Sequence, residues 1–158
     1  MTTDPMRPSS EPTRNAAEAL DRLSAAINAH DLEALVSCFD ADFVNDTPAH
    51  PDRSFSGAAQ VRENWARIFA GVPDLQARIV GQTVDDTAAW TEWDWTGTRR
   101  DGSSHRMRGV TITTVGREAI TGVRFFMEQV TDDGLDVAAA IDRVTGAVAG
   151  RSAVGSEA

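Results

Sequence analysis

Ala88-Ala89-Trp90-Thr91-Glu92-Trp93-Asp94-Trp95-Thr96-Gly97-Thr98 alternates with a period of two, the period of a strand and not of a helix. Trp90, Glu92 and Asp94 fall on one face of such a strand, Trp93 and Trp95 on the other. Two carboxylates therefore stand side by side among large aromatic rings. Desolvation by such rings raises a carboxyl pKa, which is what proton chemistry on an apolar substrate requires. An ordinary amphipathic strand with a wet outer face carries the same pattern, and this stretch alone allows both.

The segments around it extend the same period. Residues 75–84, 104–115 and 119–130 also read as strands, with turn chemistry at Asp85-Asp86, Asp101-Gly102 and Gly116-Arg117-Glu118. Upstream the spacing becomes helical. Ala16, Ala19, Leu20, Leu23, Ala26 and Ile27 mark a first helix, and Asp31 caps a second, short one carrying Leu32, Leu35, Val36 and Phe39. A short strand over 43–46 then enters a loop over 47–56. A third helix begins near Gly57, with Val61, Trp65, Ile68 and Phe69 on one side, and stops at Gly71-Val72-Pro73-Asp74. Three helices followed by a four-strand meander predict an α+β fold: a curved antiparallel sheet with helices packed on one face. Residues 1–13, rich in Pro, Ser and Thr, are expected to be a disordered tail, and 14–131 the folded domain. Residues 132–158 are expected to form a short Ala-rich helix and a flexible tail.

Composition narrows the function classes. A chain of 158 residues suits one domain with a real core. All fifteen basic residues are arginines, and the formal charge is −9, so no basic face offers itself to nucleic acid or to an anionic membrane. Lysine and tyrosine are absent, which removes Schiff-base chemistry and any phenolic hydroxyl. Cys38 is the only cysteine and reads as a small buried apolar residue. His30 and His50 lie in loops without metal-ligand spacing, so no metal site is expected. The amino terminus lacks the apolar core of a signal peptide, and no apolar run reaches membrane-spanning length; a cytoplasmic protein is expected.

Two phrases carry a family resemblance. Ala25-Ala26-Ile27-Asn28-Ala29-His30-Asp31-Leu32, leading into a helix and Phe39, resembles the opening of the nuclear transport factor 2-like superfamily. Arg108-Gly109-Val110-Thr111-Ile112, followed by Val123-Arg124-Phe125-Phe126-Met127-Glu128-Gln129-Val130, resembles its last two strands. The superfamily includes ketosteroid isomerases, limonene-type epoxide hydrolases and SnoaL-like polyketide cyclases, and the chain looks most like its SnoaL-like branch. The resemblance implies a cone-shaped sheet with three helices around an apolar pocket, chemistry without a cofactor, and a homodimer formed through the outer face of the sheet.

Residue by residue, the resemblance puts Asp46 where ketosteroid isomerases hold a proton-shuttling aspartate, and Asp94 where epoxide hydrolases hold the acid that protonates the epoxide. The isomerases' oxyanion donors are missing: Leu23 matches their tyrosine, and their second acid falls near Gly109. The hydrolases' water-activating aspartate is replaced by Phe125. His105 and Glu128 are candidates for the cyclases' acid/base and histidine pair, with Glu128 better suited to a rim. The expected catalytic residues are thus Asp46, Asp94 and His105. Asn45, Trp65, Trp90, Glu92 and Phe125 are the expected substrate-binding residues. Asn45 and Asp46 are strand neighbours, so only one of them can face the pocket. Trp93 and Trp95 are expected in the dimer interface. The implied function is acid/base chemistry of the isomerase, cyclase or epoxide hydrolase type on a small hydrophobic molecule. The alternative is a non-catalytic module that binds a hydrophobic ligand.

Overall fold

In the computed structural model, which describes residues 16–147, the first helix α1 (Ala16–Ala29) buries Ala16, Ala19, Leu20, Leu23, Ala26 and Ile27 as one stripe. It ends where His30 adopts a left-handed conformation (φ 53°) and the Asp31 amide bonds back to the Ala26 carbonyl. Asp31 then caps α2 (Leu32–Val36), its carboxylate accepting from the Ala34 amide at 2.9 Å. This second helix is shorter than its apolar spacing suggests. Phe39 opens β1 (Phe39–Asp46) and does not close the helix, so the first strand begins four residues earlier than expected, at 39 and not 43.

A single-turn helix (Pro51–Arg53), the two-residue β2 (Phe55–Ser56) and α3 (Ala58–Gly71) follow. The meander is then β3 (Gln76–Val84), β4 (Ala88–Thr98), β5 (Ser104–Val115) and β6 (Ile120–Gln129). Asp85 and Asp101 close the first two of its turns through their carboxylates, which accept from the Thr87 and Ser103 amides. All six strands form one curved sheet in the order β2-β1-β6-β5-β4-β3. Every pairing is antiparallel except β1 with β6, which is parallel. The expected α+β architecture holds, with β1 and β2 added beside the meander and one parallel pair among its ladders.

Helix α1 is fixed to the edge strand β3 by Asn28. Its side-chain amide donates to the Ala77 carbonyl (3.0 Å), and its oxygen accepts from the Ala77 amide (2.7 Å). The core lies between the helices and the concave side of the sheet. A fourth helix, α4 (Val137–Thr145), follows an Asp136 cap, stops at a left-handed Gly146 and buries no residue. The expected disordered segment 1–13 and the tail from 150 lie outside the described residues. Among those described, no helix is long and apolar enough to cross a membrane.

Candidate active site

β4 sorts its residues cleanly between two environments. Ala89, Thr91, Trp93 and Trp95 are buried on the concave side, while Trp90 is 56% exposed on the convex side with Glu92 and Asp94. The faces are the reverse of those expected from the sequence. Trp93 and Trp95 line the cavity and are not interface residues, and Trp90 faces away from it. The helices cover the face that carries two indoles, because that choice removes the larger apolar area from water.

The cavity has a deep end and a wider mouth. The deep end, about 80 Å³, is walled by Leu23, Ile27, Phe39, Phe43, Val61, Trp93, Thr111, Thr113 and Val123. The mouth, about 700 Å³ and open to solvent, adds Thr47, His50, Arg53, Asn64, Met107, Met127, Glu128 and Gln129. Asn45, Phe55, Trp65, Trp95 and Phe125 line both. The rings form a continuous chain of edge-on and tilted contacts: Trp93 lies 6.2 Å from Trp95, Trp95 5.4 Å from Trp65, and Trp65 5.5 Å from Phe69. Phe69 in turn stacks on His30 at 4.8 Å, and His30 Nε2 is held 2.8 Å from the Leu75 carbonyl oxygen. His30 therefore braces an aromatic wall.

Gly109 shapes this wall from β5. It faces Trp93 across the ladder and has φ 149°; a β-carbon there would meet the Phe126 carbonyl oxygen at 2.2 Å and the Met127 α-carbon at 2.7 Å. Only glycine allows this approach of β5 to β6.

The polar groups are few at the deep end and gather at the mouth. Asn45 is buried and donates to the Thr47 hydroxyl at 3.0 Å, and the Thr47 amide donates to the Ser54 hydroxyl, also at 3.0 Å. Trp93 donates its indole N–H to Thr111 at 2.9 Å. The equivalent N–H of Trp95 is buried without a partner among the described residues. At the mouth, His50 Nε2 and the Glu128 carboxylate lie 2.7 Å apart, although 78 residues separate them. His50 comes from the Pro-bounded turn after β1, and Glu128 from the end of β6. No pattern in the sequence announces that meeting.

The expected trio of Asp46, Glu92 and Asp94 does not converge. Of the two strand neighbours, Asn45 faces the cavity, while Asp46 points outward to Arg124, 3.4 Å away, with half its side chain exposed. Asp94 lies between directly opposed arginines of both neighbouring strands. It accepts from Arg108 Nε (3.1 Å) and Nη2 (3.3 Å) and from Arg78 Nη2 (3.0 Å). These bonds, Arg108's first and then Arg78's, outweigh burial and hold its carboxyl below the ordinary range. A carboxylate so held stays ionised near neutral pH and cannot act as the protonated donor. Glu92 is exposed on the same convex face. His105 is the second residue of β5, opposite Gly97, and lines neither end of the cavity; burial, and then the charge of Arg99, lower its pKa. Trp65 and Phe125 line the cavity. Among the described residues no group of three His, Cys, Asp or Glu side chains is placed to hold a metal ion.

This geometry has relatives. Solved structures that resemble the chain include IdmH of Streptomyces antibioticus, provisionally a polyketide cyclase, with 18% identity and a TM-score of 0.62 over 71% of this chain and 91% of that one. A provisional SnoaL-like polyketide cyclase of Shewanella denitrificans is 14% identical, with a TM-score of 0.60 over 82% and 96%. A ketosteroid isomerase-like fold from Catenulispora acidiphila, in complex with trimethylamine, is 19% identical, with a TM-score of 0.58 over 69% and 85%. At such identities the likeness is one of fold. No curated protein matches the chain. The model of the SnoaL-like domain matches residues 20–123, a span that runs from α1 to the cavity-lining Val123, and the chain belongs to that family.

Proposed function

We propose that the protein is a cofactor-independent acid/base enzyme of the isomerase or cyclase type, acting on a small, largely apolar molecule. The observation that carries this reading is the His50–Glu128 pair at the mouth of an aromatic cavity. A carboxylate accepting from imidazole Nε2 fixes the tautomer and leaves Nδ1 as a proton acceptor. The apolar end supplies binding, and Arg53 at the mouth favours a negative charge developing beside it. Asp46 and Asp94, the acids the sequence favoured, have arginine partners on the convex side and take no part in this scheme.

The test is hydrogen–deuterium exchange at the carbon next to the carbonyl of 1-indanone, followed by NMR in D₂O. The wild type accelerates exchange over buffer, and His50→Ala and Glu128→Gln each lower that rate by about 100-fold or more while still binding the ketone. Ketone binding with no exchange above buffer sinks the catalytic reading and favours the non-catalytic binding module.

A homodimer through the convex face belongs to the same proposal. Trp90 (56% exposed), Val44 (52%) and Phe126 (37%) leave more apolar surface there than scattered single residues would. Trp90, and not Trp93 or Trp95, is the tryptophan that such an interface would cover.

A further inference from the structure

Within that cavity reading, Trp93 and Trp95 differ in one respect that points to the ligand. Both indoles are buried, 2% and 7% exposed. The N–H of Trp93 has an acceptor in Thr111. That of Trp95 has none among the described residues. A buried N–H without a partner is costly, and folded proteins rarely leave one. Trp95 also stands where the deep end and the mouth share a wall, against Trp65 and opposite Met107 of β5. Met107 offers a thioether, a weak acceptor.

We propose that the Trp95 indole N–H is the docking point for one hydrogen-bond acceptor oxygen, a carbonyl or an ether, on an otherwise apolar ligand. The ligand's hydrocarbon part fills the aromatic deep end, and its oxygen sits at the junction with the mouth. This arrangement supplies a single neutral donor where the isomerases' oxyanion donors are absent. It also selects ketones, esters and cyclic ethers over hydrocarbons of the same shape, because only they satisfy the N–H. The inference rests on the cavity being a ligand site; it does not need the His50–Glu128 pair to be catalytic.

The test is a matched pair of probes, 1-indanone and indane, titrated into the ¹⁵N-labelled full chain. The wild type should bind the ketone at least about fivefold more tightly, and the Trp95 indole N–H resonance alone among the indoles should shift strongly downfield with the ketone. Trp95→Phe should lose the preference, the ratio of ketone to indane affinity falling to about one. Should that variant fold poorly, the indole resonance of the wild type still decides. Equal affinity for the two probes, or a ketone that leaves the Trp95 resonance in place, overturns the docking point and assigns the N–H to a bound water. Indane binding without ketone preference leaves the cavity reading standing. Failure of both probes to bind overturns the cavity reading together with this one.

Discussion

Both faces of β4 carry tryptophan, and the tryptophans meet opposite fates. On the concave face Trp93 and Trp95 are buried against the helices, and their neighbours are Thr111, Trp65 and the cavity. On the convex face Trp90 is exposed, and Asp94 is screened from water by two arginine side chains reaching over it. Tryptophan and carboxylate in alternation thus do not by themselves mark a pocket. What separates the faces is the neighbouring strands. β3 and β5 present Arg78 and Arg108 to the convex side, and they present Ala77 with Gly109 and Met107 to the concave side.

The largest expected difference between the faces is in stability. Trp93→Ala removes a fully buried ring and its bond to Thr111, and should cost about 3–5 kcal/mol in a denaturant melt. Trp90→Ala should change the monomer's stability by no more than about 0.5 kcal/mol, and it should move any dimer towards monomer in sedimentation. Comparable losses from the two substitutions would break the assignment of the faces. Gly109→Ala, on the residue facing Trp93, sharpens it: the methyl group would collide with the β6 backbone, and a loss of about 3 kcal/mol or more is expected by the same melt.

Next in size is Asp94→Asn. In the folded protein the Asp94 carboxyl is held below its unfolded pKa by Arg108 and then Arg78, so its contribution is complete above the unfolded value. It fades as pH falls through the folded value. The stability gap between wild type and Asp94→Asn should therefore be level near neutral pH and narrow below about pH 4 in acid melts. Binding of 1-indanone should not change. A general acid in the cavity would give the opposite result, with intact stability and altered turnover.

How far the sequence could be read follows from the range of each interaction. The strands of the meander and their turns are set by alternation and by Asp85 and Asp101, all local, and they emerged within a residue or two. The helical stripe of α1 is equally local. Which face of β4 turns inward is not, because alternation is symmetric about the strand. The signal was present nonetheless: with the turn at Asp101-Gly102 fixed, Asp94 falls opposite Arg108, an ion pair that belongs on a solvated face. The parallel pairing of β1 with β6 and the meeting of His50 with Glu128 join distant parts of the chain, and no short-range pattern encodes them.

The smallest effect is reserved for Asp46, and it separates family position from geometry most sharply. The family resemblance alone would put a catalytic acid at Asp46, one residue beyond a buried Asn45, yet strand alternation sends its side chain to the convex face and Arg124. Both partners of that pair are half exposed, at 52% and 55%, so solvent screens the attraction. Asp46→Asn should shift stability by less than about 0.5 kcal/mol and leave both 1-indanone binding and its deuterium exchange at wild-type levels. Asn45→Ala, one position away, removes a cavity-lining amide bonded to Thr47 and should weaken ketone binding several-fold. If Asp46→Asn instead abolished exchange while binding persisted, β1 would have to present its other face to the ligand. The His50–Glu128 pair would then lose its role to the residue that family position first suggested.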